Sequence, residues 1–70
     1  MKIKLTTKNK VELEGFVTFL GSHTVAFDVP ELSAEIATKL IEVEANLTDY
    51  HTHWHVQLTT RNIANHELTD

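Results

Sequence analysis

The sequence predicts a small α+β domain in which one helix covers a three-stranded antiparallel meander and a fourth strand joins an edge of the sheet. Three observations predict this fold: hydrophobic alternation through the first 29 residues, an apolar repeat between residues 32 and 47, and renewed alternation over residues 50–60. Successive side chains of a strand point to opposite faces, whereas the apolar side chains of a surface helix recur every three or four residues. The predicted element order is therefore β-β-β-α-β.

The first two strands are predicted to form a hairpin. Pairing Leu5 with Val11 and Ile3 with Leu13 sets apolar side chains together on one face and opposes lysine with glutamate on the other. This register leaves a three-residue loop that ends at Asn9, a residue type that tolerates the left-handed backbone conformation such a loop requires.

The third strand is predicted to pair with the second so that Val17 faces Phe27 and Phe19 faces Val25. A two-residue turn at Gly21 would shift this register by one position. A bulge near Gly21 would reconcile the turn with the hydrophobic pattern.

A helix is predicted from Pro30 to Leu47, with Asp28 placed to cap its first turn. Residues 41–47 also alternate as a strand would, so the sequence leaves residues 39–48 open between helix and strand. A strand there would favour the alternative fold, a small all-β five-stranded barrel. The apolar stripe that favours the helix consists of Leu32, Ile36, Leu40, Val43 and Leu47.

A helical crossover makes the fourth strand parallel to the third, and the sequence does not choose the edge of the sheet that it joins. The predicted core contains the alternating residues of the strands and the apolar stripe of the helix. Its members are Ile3, Leu5, Val11, Leu13, Val17, Phe19, Val25, Phe27, Leu32, Ile36, Leu40, Val43, Leu47, Trp54, Val56 and Leu58.

The fourth strand carries the most chemically suggestive pattern in the chain. His51, His53, His55 and Gln57 alternate with the apolar side that begins at Trp54. Imidazole is a natural ligand of Zn²⁺ and Ni²⁺, so a metal-binding module using the three histidines is one hypothesis. Since His51 and His55 would lie about 13 Å apart along a strand, a polar or partner-facing surface is the preferred interpretation.

Composition predicts one domain, with residues 1–60 forming the compact part and residues 61–70 a polar C-terminal tail. The chain contains no cysteine, no apolar run of membrane-spanning length and no signal-peptide core. We therefore expect a cytoplasmic protein that does not associate with a membrane. No glycine-rich phosphate loop or nucleophile elbow is present, and the expected protein is not an enzyme and needs no cofactor.

Charge is unevenly spread along the chain. Lys2, Lys4, Lys8 and Lys10 make the first ten residues basic, whereas ten acids oppose two bases from residue 11 onward and the whole chain carries −4. A nucleic-acid interface on the lysine-rich hairpin is a third hypothesis, but this overall charge makes nucleic acid an unlikely partner. The lysines are interpreted mainly as protection of an edge strand against aggregation.

The preferred functional hypothesis is a small non-enzymatic protein-interaction module. In its small size and acidic composition it is similar to accessory, adaptor or inhibitor proteins of bacteria and phages. Its expected partners are further copies of itself and a second protein. A chain of 70 residues buries little surface on its own, so a homo-oligomer is expected. The predicted interface residues are Phe16, Thr18, His51, His53, His55 and Gln57.

Overall fold

The computed structural model describes residues 1–69 and forms one six-stranded antiparallel sheet with one short helix. The strands are β1 (Lys2–Thr7), β2 (Glu12–Leu20), β3 (Thr24–Val29), β4 (Asn46–Asp49), β5 (Trp54–Thr59) and β6 (Ile63–Thr69). The helix α1 (Ala34–Glu42) lies between β3 and β4, and a 3-10 turn at Thr60–Asn62 joins β5 to β6. The order of the strands in the sheet is β4-β5-β3-β2-β1-β6.

The predicted β-β-β-α-β fold is wrong, and so is the five-stranded barrel. The β1-β2-β3 meander is present at the centre of the sheet, but three further strands extend it instead of one. Because β4 follows the helix and turns back as a hairpin, β5 pairs antiparallel with β3 rather than parallel to it. Residues Ile63–Thr69, assigned to the tail on sequence, form β6 along β1, and Asp70 lies outside the described residues.

The short connection between β5 and β6 shows that the sheet is curled. The backbone N–H of Thr60 donates to His23 in the β2–β3 loop, and the N–H of Lys8 in the β1–β2 loop donates to Asn62. These two loops lie at opposite ends of β2, which would be about 26 Å long if it were straight. A three-residue turn reaches both loops only because the sheet bends round on itself, with a concave inner face and a convex outer face.

The core fills the inner face, where Leu40 of the helix is fully buried among strand residues. Two asparagine side chains hold the helix against the sheet: Asn9 donates to the carbonyl of Lys39 and Asn62 to that of Val43, both at 2.8 Å. The assignment of Phe19 to the core is wrong, because 56% of its surface is exposed. The remaining predicted residues are buried or pack against the core, and the buried cluster consists of Ile3, Leu5, Val11, Leu13, Val25, Phe27, Val29, Leu40, Val56, Leu58 and Ile63.

The helix is shorter than predicted at both ends. Ser33, not Asp28, is its N-cap, and its hydroxyl accepts the backbone N–H of Ile36 at 3.2 Å. At the other end, Glu44 adopts a positive φ of 61° and hydrogen-bonds Ile41, while Ala45 hydrogen-bonds Leu40. This pair of bonds is a Schellman motif, which ends the helix and frees residues 46–49 to form β4.

The predicted register of the first hairpin is wrong by two positions. Leu5 faces Leu13 and Lys4 faces Glu14, because the turn begins one residue later than expected. The buried hydroxyl of Thr7 accepts the N–H of Val11, and Lys10 rather than Asn9 takes the left-handed conformation. A slip of two residues keeps every side chain on its original face, so hydrophobic alternation cannot detect it.

The β2–β3 pair contains the expected bulge, but the bulge lies at Thr18 rather than at Gly21. Val17 faces Phe27 as predicted, whereas Phe19 faces Ala26 and Leu20 faces Val25. The extra residue moves each side chain that follows it in β2 to the opposite face of the sheet. Phe19 therefore shares the outer face with Ala26 instead of entering the core.

Candidate functional site

The outer face of the sheet carries a row of side chains that the strand register aligns from β1 to β4. Lys2 pairs with Phe16, Phe16 with Asp28, Asp28 with His55, and His55 with Thr48. Residues directly opposite each other on neighbouring strands share a face, so these five side chains form a continuous band. The band brings together one aromatic ring, one carboxylate and one imidazole that are far apart in sequence.

Asp28 organises the centre of this band. Its Oδ1 accepts a hydrogen bond from Nδ1 of His55 at 2.8 Å, and its Oδ2 lies 3.7 Å from Nε2 of His53. A carboxylate can only accept, so Nδ1 of the His55 ring donates in this contact. The side chain of Asp28 is 30% exposed, so it is not sealed from solvent.

The β4–β5 hairpin places a second aromatic ring beside the histidines. Tyr50 stacks on His53 with ring centroids 5.2 Å apart and approaches His55 edge-on at 6.4 Å. The predicted grouping of three histidines on one strand face is wrong. His51 lies in the hairpin turn with a positive φ of 70°, and its backbone N–H donates to Asp49.

Two clefts adjoin Phe16. The Asp28 cleft, of about 380 Å³, is lined by Phe16, Asp28, Val29, Pro30, Thr52 and His53. The Lys2 cleft, of about 230 Å³, is lined by Lys2, Glu14, Gly15, Phe16 and Pro30. The first volume is near the lower end of the range for small-molecule sites and the second is below it, so each is suited to a side chain rather than to a large cofactor.

Gly15 lets β2 approach β3 closely beneath these clefts. A Cβ atom there would collide with the backbone carbonyl of Asp28 and come within 2.9 Å of the Phe27 ring. Gly15 therefore keeps β2 close enough to β3 for Phe16 and Asp28 to lie next to each other.

The remaining predicted interface residues also lie on the surface. Thr18 is the exposed bulge residue, and Gln57 is exposed opposite Ala26. Sequence reasoning missed Tyr50 and Phe19, which expose 54% and 56% of their surfaces. Phe19 is exposed because of the bulge at Thr18, which leaves no signal in the alternating pattern.

The four lysines of the nucleic-acid hypothesis do not form one cluster of free charge. Lys4 lies between Glu14 and Glu67 in the strand register, and the ammonium of Lys2 lies 5.4 Å from the centre of the Phe16 ring. Lys8 and Lys10 are exposed in the β1–β2 loop. The acidic neighbours of Lys4 reduce the positive potential that phosphate binding needs.

Residues 1–69 contain no group of three or more histidine, cysteine, aspartate or glutamate side chains that could hold a metal ion. Nor does that part of the chain contain a helix long and apolar enough to cross a membrane. Comparisons with protein families, with curated proteins and with solved structures gave no significant match.

Proposed function

We propose that this protein is a non-enzymatic interaction module that docks on another protein through the outer face of its sheet. The observation that carries the proposal is the exposure of Phe16, at 56%, between two clefts. Aromatic residues with a pocket beside them are typical of the centres of protein interfaces. Phe19 and Tyr50 add two further exposed rings to the same face.

The chemistry of the face supports binding rather than catalysis. Asp28 and His55 hydrogen-bond each other, and Thr48 lies opposite His55 in the strand register, but no described hydrogen bond joins the Thr48 hydroxyl to that imidazole. The aromatic rings provide apolar area at a low cost in side-chain entropy, and the polar groups around them provide orientation. We propose an accessory, adaptor or inhibitor role in the cytoplasm, where small domains without disulfides are common.

Affinity capture with matched variants tests this function. Tagged wild-type protein, Phe16→Ser and Ile41→Ser would be exposed to extract of the source organism, and retained proteins quantified by mass spectrometry. Ile41 is 62% exposed on the helix, so its substitution removes a comparable apolar side chain elsewhere. We expect a partner that the wild type and Ile41→Ser retain and Phe16→Ser loses. Equal retention by all three would contradict the proposal.

Self-association is the second proposal, and the β6 edge favours it. β6 is a seven-residue strand that pairs with β1 on one side, and six of its residues are exposed. Its free backbone groups can pair with the same strand of a second copy. Light scattering should give a dimer or larger assembly for the wild type and a monomer for Leu68→Lys, whereas a monomeric wild type would contradict this proposal.

A further inference from the structure

The Asp28 cleft combines apolar walls with a single carboxylate. Phe16, Val29 and Pro30 supply the apolar surface, and Asp28 is the one acidic side chain among the six described residues that line it. A cleft of this kind matches a side chain with an apolar stem and a cationic head. The stem packs on the walls while the head reaches the carboxylate.

The position of Asp28 within the cleft favours a donor with a defined geometry. Its Oδ1 accepts from His55 at 2.8 Å, while its Oδ2 lies 3.7 Å from Nε2 of His53, which is beyond hydrogen-bonding distance. A carboxylate has about four acceptor positions, so Asp28 retains capacity for further N–H donors. A guanidinium supplies several donors in one plane and can stack on an aromatic ring at the same time, which an ammonium cannot do.

The charge of the chain indicates what kind of molecule presents this side chain. From residue 11 onward the balance is −8, and the whole chain carries −4. Lys2, the nearest cation of the band, lines the Lys2 cleft and not the Asp28 cleft. A basic surface is therefore the electrostatic complement of this protein.

We propose that the Asp28 cleft binds an arginine side chain presented by a basic partner protein, with the guanidinium paired to Asp28 and stacked on Phe16. This inference rests on the proposed docking function and adds the chemistry of the contact at its centre. The arginine acts as the anchor residue of the interface, and Tyr50, which stacks on the cleft residue His53, helps to exclude water from the ion pair.

Nuclear magnetic resonance titration tests the inference with three probes: acetyl-Gly-Arg-Gly-amide, the same peptide with citrulline, and the same peptide with lysine. Citrulline has nearly the shape of arginine but no charge. We expect the arginine peptide to shift the amide signals of residues 28, 29, 52 and 53 with a roughly millimolar dissociation constant. The citrulline peptide should bind at least about fivefold more weakly, and the lysine peptide should fall between them.

Two variants locate the effect. Asp28→Asn should abolish the preference for arginine over citrulline, whereas Glu35→Gln, which removes a charge from the exposed helix surface, should leave it unchanged. Phe16→Leu keeps an apolar wall without an aromatic ring and should weaken arginine binding several-fold. It provides a second test if Asp28→Asn fails to fold.

The outcomes separate this inference from the proposed function. Equal binding of the arginine and citrulline peptides to the wild type, or shifts confined to residues outside the cleft, would overturn the arginine anchor. If affinity capture still depended on Phe16 in that case, the docking function would stand and only the identity of the anchor would fall. If the arginine peptide bound specifically but Phe16→Ser retained the same proteins as the wild type in affinity capture, the docking function would instead be overturned.

Discussion

Asp28 and His55 are joined across β3 and β5 by a hydrogen bond of 2.8 Å between Oδ1 and Nδ1. The two residues are 27 positions apart in sequence and directly opposite in the register of the sheet. This contact fixes the orientation of both side chains at the centre of the outer face. It also holds the carboxylate at the wall of the Asp28 cleft.

A double-mutant cycle should measure this contact. Substituting Asp28 and His55 by alanine, singly and together, is expected to give a coupling of about 1 kcal/mol in the free energy of unfolding. The same cycle with His53 should give a smaller coupling, because its nitrogen lies 3.7 Å from the carboxylate and is too far for a hydrogen bond. Denaturation followed by the fluorescence of Trp54 provides both values, and equal couplings would contradict the assignment.

The Asp28–His55 contact also shows what the sequence could not predict. Alternation correctly placed His55 and Trp54 on opposite faces, but Asp28 was interpreted as a helix cap because it precedes Pro30 by two residues. Its real role depends on β3 pairing with β5, a non-local event that has no local signal. The local hydrophobic pattern therefore predicts which face of the sheet a side chain occupies, but it gives little information about which strands pair.

Gly15 is expected to be essential for the close approach of β2 and β3. Gly15→Ala should destabilise the protein by about 1–3 kcal/mol, because the added methyl group meets the Asp28 backbone and the buried Phe27 ring. Gly21→Ala is the matched control. Its methyl group would crowd the tip of the exposed Phe19 ring, which can move, and would lie in ordinary contact with the Thr24 carbonyl at 3.5 Å, so a change within about 0.5 kcal/mol is expected.

Equilibrium denaturation of the two glycine variants distinguishes backbone crowding from the general effect of replacing glycine. If Gly15→Ala were no less stable than Gly21→Ala, the close approach of the two strands would be wrong. Gly15→Ala should also displace Asp28 and thus weaken the contact between Asp28 and His55.

Glu44 should be a site where glycine stabilises the fold. Its left-handed conformation, with φ of 61°, is unfavourable for a residue with a side chain, and glycine adopts it freely. Glu44→Gly should raise the free energy of unfolding by up to about 1 kcal/mol, and the exposed ion pair with Arg61 that it removes contributes little.

Glu42→Gly is the matched control for this substitution. Glu42 is the last residue of α1 and has a helical backbone, so glycine there should destabilise the protein by about 0.5–1 kcal/mol. Thermal unfolding monitored by circular dichroism gives the sign of each change. Destabilisation by Glu44→Gly as large as that by Glu42→Gly would contradict the Schellman motif.

Physical reasons explain why the sequence left β4 open between helix and strand and did not predict β6. β4 has four residues and only one partly buried side chain, Leu47, whose position also fits the helical repeat. β6 contributes a single buried residue, Ile63, and its backbone pairs with β1 without an alternating hydrophobic pattern. Edge strands of this kind are held by hydrogen bonds and neighbours rather than by their own burial.

The candidate site was predicted in part. Phe16 was expected on the solvent face because it alternates with core residues, and it lies there. The bulge at Thr18 moved Phe19 onto the same face, and the turn at His51 broke the predicted row of histidines. One extra residue in a strand changes the face of every side chain beyond it, so the content of the site depended on a feature that alternation cannot reveal.

Photo-crosslinking in cells of the source organism tests the docking face most directly. A benzoylphenylalanine introduced at position 16 and, separately, at position 41 compares two exposed sites on different elements of the protein. We expect a discrete crosslinked product from position 16 that is absent from position 41 and is lost when excess wild-type protein competes. A product from position 41 alone, or equal products from both positions, would contradict the outer face as the docking surface.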